Sequence, residues 1–419
     1  MLSTLRTAFR IQDLRKRIFF TFWMLVILRI GTHISVPGLD PQAIAQLFKE
    51  GTIFSFLDLF SGGAFKQFSI FAMSVTPYVN ASIIVQLLTV VIPSWEKLQK
   101  EGPEGQKKLN QYMRYGTVIL ALIQAYGMAV SFRQAVIAPS FWNYTLIALT
   151  LTAGTAFVMW LGEQITEKGI GNGISLIIFA GIVSRLPGGL GNGLALLRSG
   201  RISVLNVLIL VVIGLLVIAA VVAIQEGQRK VPVQYAKRVV GRRMYGGQST
   251  VIPMRVNAAG VIPVIFASSV LTFVPTIASL INKPWPWLKT LANVNYRGFW
   301  YNFFYFILIV FFTYFYTAIT TNPRDIANNM QKYGGFIPGI RPGKPTADYL
   351  DRIVTRITLV GAIFLGLIAI LPNFMIRATN IPGLYFGGTS LLIVVGVALE
   401  TMKQIEAHLI MRQYQGFLK

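Results

Sequence analysis

Hydrophobic residues along this chain fall into long blocks separated by short polar segments. Most blocks are about 18 to 25 residues long, the length of a helix that crosses the roughly 30 Å hydrocarbon core of a bilayer. The pattern predicts an all-α polytopic membrane protein with ten transmembrane helices, of which the fifth is short. The predicted spans are residues 18–36, 70–92, 114–131, 142–161, 173–186, 203–224, 257–281, 299–320, 353–372 and 385–403.

One further apolar segment, "FSFLDLFSGGAF" at residues 54–65, is too short to span. Phe54, Leu57 and Phe60 recur at helical spacing, and Ser61-Gly62-Gly63 ends the helix within two turns, or about 10 Å. By its pattern alone, an interfacial helix on the outer leaflet is favoured. A half-helix buried in protein is the alternative.

Charge and composition agree with a membrane protein and give its orientation. Of the residues, 54% are hydrophobic and 13% charged, against about 25% charged in soluble domains. With the N-terminus cytoplasmic, 27 of the 38 Lys and Arg residues lie on the cytoplasmic side and ten outside, and Arg29 lies within the first span. The positive-inside bias therefore predicts that both termini are cytoplasmic. We expect Arg29 to be a packed or snorkelling structural residue.

Two cytoplasmic loops, 225–256 and 321–352, are longer than a turn requires. The first alternates basic and β-branched residues around Gly246-Gly247, which predicts a basic β-hairpin. The second is stiffened into an extended turn by three prolines and two glycines between residues 338 and 345. The charges could serve orientation alone, but ordered loops of this length favour binding of a large acidic or phosphate-rich partner.

Signatures of enzyme chemistry are missing from the sequence. "GIGNG" (169–173) precedes an apolar block and follows no predicted strand, and "GIRPGK" (339–344) departs from a phosphate loop at both ends. The two histidines, His33 and His408, are far apart in the sequence, and there is no cysteine. We therefore predict that the chain is not an enzyme and holds no cofactor or metal. No predicted span carries a central Asp or Glu, which argues against a proton-driven transporter.

Amide side chains lie within the predicted spans, together with small-residue stretches such as "NAAGVIP" (257–263). They are Asn80, Gln86, Gln124 and Asn257. Such groups are costly in lipid unless they face protein or water. Tight helix packing and a wet, separable interface both account for them.

Several long segments resemble the SecY family of bacterial protein-conducting channels. The similarity covers the whole chain and is most specific in "TPYVNASIIVQLLTVV" (76–91), "LGEQITEKGIGNGISLIIFAGIV" (161–183), "VNAAGVIPVIFASS" (256–269), "PGIRPGKPTADYLDRIVTRITLVGA" (338–362) and "YFGGTSLLIVVGV" (385–397).

The resemblance implies a clamshell of two inverted five-helix halves. They are residues 1–186, with a re-entrant plug at 54–65, and residues 203–403, joined by an external hinge loop at 187–202 and followed by a cytoplasmic tail at 404–419. An odd number of spans per half agrees with the inversion. The plug would include Phe54, Leu57, Phe60, Gly62 and Gly63.

Carried over by resemblance, the pore constriction is a ring of aliphatic side chains. Its members are Val75, Val79, Ile174, Ile178, Ile265 and Ile393. The lateral gate would lie between the second and seventh spans, with Gln86 and Asn257 as polar gate residues. Arg229, Lys230 and Arg341 would contact the SecA motor ATPase or the ribosome.

The function implied is translocation of unfolded preproteins across the bacterial plasma membrane, with lateral release of transmembrane segments into the lipid bilayer. SecE-like and SecG-like small membrane subunits and signal sequences are the further implied partners. A secondary transporter for a small solute, also built on inverted repeats, is the alternative from another class.

Overall fold

The structure is a computed structural model. It describes residues 9–40, 63–65, 67–200, 203–235, 238–240, 243–245, 249–280, 298–379 and 388–416. The predicted plug helix 54–62 lies outside the described residues. The structure describes the chain that follows it, from residue 63.

Helices make up most of the described chain, and each of the ten predicted apolar blocks contains one. They are α1 (Gln12–Gly31), α2 (Thr76–Val91), α3 (Pro93–Lys100), α4 (Pro103–Ser131), α5 (Phe141–Lys168), α6 (Gly173–Val183), α7 (Leu186–Arg198), α8 (Val204–Glu226), α9 (Ile262–Leu280), α10 (Phe299–Thr320), α11 (Pro323–Lys332), α12 (Lys344–Thr379) and α13 (Gly388–Gly416).

Within the described residues, five helices are both long and apolar enough to cross a membrane by themselves. They lie in Pro103–Ser131, Phe141–Lys168, Val204–Glu226, Phe299–Lys332 and Lys344–Leu371. A sixth span results if α2 and α3, which meet at a bend of 102°, are counted together. The chain is therefore a multi-pass membrane protein.

Two helices begin later than the hydrophobic pattern predicted. Residues 70–75 are turns, because Ser74 has a φ of +48°, which a helix does not accept. The helix α2 then begins at Thr76, with Pro77 in its first turn, where proline needs no hydrogen-bond donor. Residues 257–261 likewise form turns before α9. Most of the predicted hinge loop 187–202 is occupied by α7.

The two long loops predicted to be cytoplasmic fold into one unit, here called the cytoplasmic unit after that prediction. Strand β1 (Gln228–Tyr235) pairs antiparallel with β4 (Ser249–Arg255), and β5 (Gly335–Phe336) from the second loop pairs with the far end of β1. The unit has its own buried core, formed by Val231, Val233, Met254, Met330, Ile337 and Leu350. The described chain is mostly helical, as predicted, and this small sheet includes the strands predicted for the first loop.

The predicted hairpin in the first loop is present. A second pair of strands, β2 (Arg238–Val240) and β3 (Arg243–Tyr245), ends with Val240 opposite Arg243. The chain therefore reverses between these two residues, and the basic hairpin has two paired segments instead of one.

The helices pack around a large apolar core, here called the central cluster. It draws buried residues from α1, α2, α5, α6, α8, α9, α10, α12 and α13. Helix α9 packs against α2 and α4, and α6 packs against α13. These are contacts between the first five and the last five apolar blocks.

The outer surface is apolar, as expected for side chains that meet lipid or a partner subunit. Helix α8 is the clearest case, since only 12% of its most apolar stretch is buried. Phe22 and Trp23 of α1 and Leu216 of α8 are each more than half exposed.

Candidate functional site: a central apolar constriction

The six residues predicted for the ring lie in or against the central cluster. Five of them are buried, with at most 7% of each side chain exposed: Val75, Val79, Ile178, Ile265 and Ile393. Ile174 is partly buried and packs against the same cluster. Four separate elements supply them, namely α2 with the residue before it, α6, α9 and α13. The fold thus collects residues that are more than 300 positions apart in the sequence.

The central cluster is larger than the predicted ring. Ile177 and Leu392, which neighbour two ring residues, are 2% and 0% exposed and belong to the same cluster. Ile177 and Ile174 both lie against Gly162 of α5, within 3.4 Å of where a Cβ on that glycine would stand. Burial alone therefore does not separate a pore-facing residue from one that packs between helices.

The seventh apolar block borders two helices of the first half. Helix α9 packs against α2, as predicted for the lateral gate, and also against α4. The two helices predicted for the gate therefore have α4 as a further neighbour of α9.

The two predicted gate amides are incompletely hydrogen-bonded within the described residues. Gln86 Nε2 donates to Ser82 Oγ at 3.2 Å, and Asn257 Nδ2 donates to the Gly260 carbonyl at 3.0 Å. Gln86 Oε1 and Asn257 Oδ1 are buried and accept no hydrogen bond from the described chain. A buried amide oxygen without a hydrogen-bond donor is unfavourable. A rearrangement that brings a donor to either oxygen would therefore be favourable.

The predicted docking residues lie on the cytoplasmic unit. Arg229 and Lys230 are exposed on β1, and Arg341 is exposed in the turn before α12. That turn is fixed by positive φ angles at Gly339 and Gly343. It is also held by a hydrogen bond of 2.8 Å from Thr346 Oγ1 to the Arg341 carbonyl. Basic side chains from both loops thus share one folded support.

Of the predicted plug residues, only Gly63 lies within the described chain. Its φ is +96°, and Ala64 and Phe65 directly after it are fully buried. Phe65 packs with Phe68 and Phe132, at ring centroid distances of 5.7 and 6.1 Å. The chain that leaves the predicted plug is therefore anchored immediately after Gly63. Phe54, Leu57, Phe60 and Gly62 are outside the described residues.

Two features of the sequence have structural roles here. Arg29 Nη1 donates to Ser184 Oγ at 3.4 Å, a link between α1 and the end of α6 that fits a structural arginine. The "GIGNG" segment is hydrogen-bonded to side chains of α1, α5 and α13 and leads directly into α6. Its three alternating glycines, Gly169, Gly171 and Gly173, are the sequence signal of this close packing.

A model of the SecY family matches residues 69–402. The chain belongs to the SecY family. A relative named Protein translocase subunit SecY from Halalkalibacterium halodurans is 49% identical over the whole of both chains. A Thermotoga maritima relative of the same name is 44% identical, covering 100% of this chain and 98% of its own.

Solved structures support the same fold at lower identity. One described as the structure of a protein conducting channel has a TM-score of 0.66 at 19% identity, covering 94% of this chain and 92% of its own. Sec61 in a canine ribosome-channel complex gives a TM-score of 0.63 at 18% identity, with the same coverage. The SecY assignment and the channel fold thus rest on independent comparisons.

Proposed function

We propose that this SecY-family chain is a channel that passes unfolded polypeptides across the bacterial plasma membrane and releases transmembrane segments sideways into lipid. The observation that carries the proposal is the convergence of six aliphatic side chains from four elements on one buried cluster. The relatives' name, Protein translocase subunit SecY, agrees with it.

An aliphatic constriction suits this task for two physical reasons. It offers ions no polar partner, and moving a charge into an apolar constriction is very costly. Dispersion contacts are individually weak and have no fixed direction, so the ring can yield to a chain of any sequence. Polar selectivity for one solute is not required of such a pore.

Ten spans in two inverted halves, 1–186 and 203–403, are the architecture we propose around the constriction. The contact of α9 with α2 and α4 would be the lateral gate, and the α6–α13 contact would stay closed. The unpaired oxygens of Gln86 and Asn257 would find partners when the gate opens toward water or a signal sequence. Residues 54–65 would be the plug, pivoting at Gly63, where the anchored chain begins.

Energy and partners come from outside the chain in this proposal. SecA or the ribosome would dock on the cytoplasmic unit at Arg229, Lys230 and Arg341, which are exposed. A SecE-like and a SecG-like subunit would cover part of the exposed apolar surface, for which α8 is a candidate. Ribosome complexes are described for two of the similar structures.

A translocation assay tests the function directly. Vesicles containing the chain, SecE-like and SecG-like subunits and SecA should protect an unfolded preprotein from external protease in the presence of ATP. Vesicles without the chain are the control. Absence of protected preprotein, together with coupled uptake of a small solute, would favour the transporter instead.

Orientation gives a separate prediction. The chain has no cysteine, so single cysteines can be labelled without background. A cysteine replacing Tyr333, which is 79% exposed on the cytoplasmic unit, should react with an impermeant thiol reagent only from the cytoplasm. One replacing Gly191, where an added Cβ meets nothing within 4 Å, should react only from outside. Reversed labelling at either position would contradict cytoplasmic termini.

A further inference from the structure

The glycine turn between α5 and α6, residues 169–173, is joined to α13 by a hydrogen bond. The Gly171 amide donates to Gln404 Oε1 at 2.9 Å. Gly171 is buried with a φ of +87°. A Cβ placed there would stand 2.8 Å from Leu176 Cδ1 and 3.1 Å from Thr401 Oγ1. Only glycine allows the turn and α13 to approach this closely.

The same turn is tied to α1 and α5. The Ile170 amide donates to Thr21 Oγ1 at 3.1 Å, and Arg17 Nη1 donates to the Gly169 carbonyl at 3.3 Å. The Gly173 amide donates to Thr166 Oγ1 at 2.8 Å. Side chains of three helices therefore satisfy consecutive backbone groups of the turn. The glycine turn is therefore held firmly against α1 and α5. The Gln404 side chain joins it by a hydrogen bond to α13.

This link joins the two helices that carry half of the proposed ring. Helix α6 begins two residues after Gly171 and carries Ile174 and Ile178. Helix α13 carries Ile393 and Gln404, which are about 16 Å apart along the helix at 1.5 Å per residue. A side chain that holds α13 against the turn therefore limits how α6 and α13 slide or tilt relative to each other.

We infer that Gln404 is a positioning residue for the constriction: its hydrogen bond to the Gly171 amide fixes Ile393 against Ile174 and Ile178 in the resting channel. This rests on the proposed function. The acceptor oxygen of Gln404 is the essential group, because its partner is the backbone amide of Gly171, which needs an acceptor.

Two substitutions isolate the acceptor. Gln404→Leu removes it at similar volume, and Gln404→Glu keeps an oxygen acceptor. Gln404→Met is a second acceptor-free variant in case the leucine variant does not fold. Lys403→Gln is the matched control, since Lys403 on the same helix pairs with Glu226 of α8 at 2.8 Å, a contact within the last five blocks.

The first measurement is amide hydrogen exchange of the peptide covering residues 169–175 in the intact complex. In Gln404→Leu and Gln404→Met we expect exchange about tenfold faster, since the Gly171 amide loses its protection. Gln404→Glu and Lys403→Gln should keep the slow exchange of the unaltered chain.

The second measurement is ion leak through the resting channel in vesicles, with Ile393→Ser as the positive control. We expect the acceptor-free variants to leak several-fold more than the unaltered chain, and the two others to stay tight. If Ile393→Ser leaks while Gln404→Leu and Gln404→Met stay tight, the positioning role is wrong and the constriction stands. If none of them leaks, the constriction itself is wrong, and the positioning role falls with it.

Discussion

Replacing Val79 or Ile393 with serine should raise the ion conductance of the resting channel about tenfold, as expected if the barrier falls by about 1.4 kcal/mol. A hydroxyl in the constriction gives water and ions a polar partner that an aliphatic ring withholds. The two residues lie in different halves and are 6% and 0% exposed. Conductance of vesicles carrying each variant is the measurement. Discrimination among signal sequences should weaken in parallel, because the closed state loses stability.

A matched control lies on the same helix as Val79. Val90 of α2 has 57% of its side chain exposed, so Val90→Ser makes the same chemical change away from the central cluster. It should leave conductance unchanged. Equal leak from Val79→Ser and Val90→Ser would mean that the ring does not form the seal. Ile177 and Leu392 are poorer controls, since both are buried in the same cluster and their replacement would also disturb packing.

Arg341→Glu should slow motor-driven export about tenfold at low salt, with less effect as salt rises, because charge reversal at a docking surface acts mainly on encounter. Arg341 is exposed on a turn held by Gly339, Gly343 and the Thr346 hydroxyl. Membrane insertion and protein level should be unchanged, since the buried core of the cytoplasmic unit is untouched. Export rate with SecA limiting is the measurement.

The control for this charge reversal is Arg324→Glu. Arg324 is exposed in the first turn of α11, on the same cytoplasmic unit, and an acidic residue is well tolerated at a helix N-terminus. Export by this variant should be close to normal. Normal export by Arg341→Glu as well would leave membrane orientation as the better account of the basic loops.

Hydrophobic block length predicted the helices well because spanning segments must bury apolar side chains over a fixed thickness. Each predicted block contains a helix, but the ends differ. Helix α12 begins nine residues before its block, at Lys344, and α13 continues to Gly416. The backbone hydrogen bonds of these helices continue beyond the apolar block. There the side chains are polar, so the hydrophobic pattern no longer shows where the helix ends. Helix α2 instead begins later than its predicted block, because the positive φ of Ser74 is not compatible with a helix.

The cytoplasmic unit shows what local patterns leave open. Alternation in residues 225–256 predicted strands, and strands formed. Pairing of β1 with β5 joins residues about 100 positions apart, which no local pattern contains. The register that places Val240 opposite Arg243 has the same origin, since strand register depends on which side chains are buried across the sheet.

The sequence by itself determined that the chain crosses the membrane several times and, through long similar segments, that it belongs to the SecY family. Each of these depends on composition or on residues close together in the chain. The side on which its basic loops lie stays a prediction. Only the tertiary structure decided that six distant aliphatic residues meet in one cluster and that α9 faces both α2 and α4. It also decided that "GIGNG" is a helix junction closed by Gln404. These results depend on contacts between helices. Such a contact forms only where the side chains of two helices pack closely together, and the sequence of one helix alone does not specify its partner.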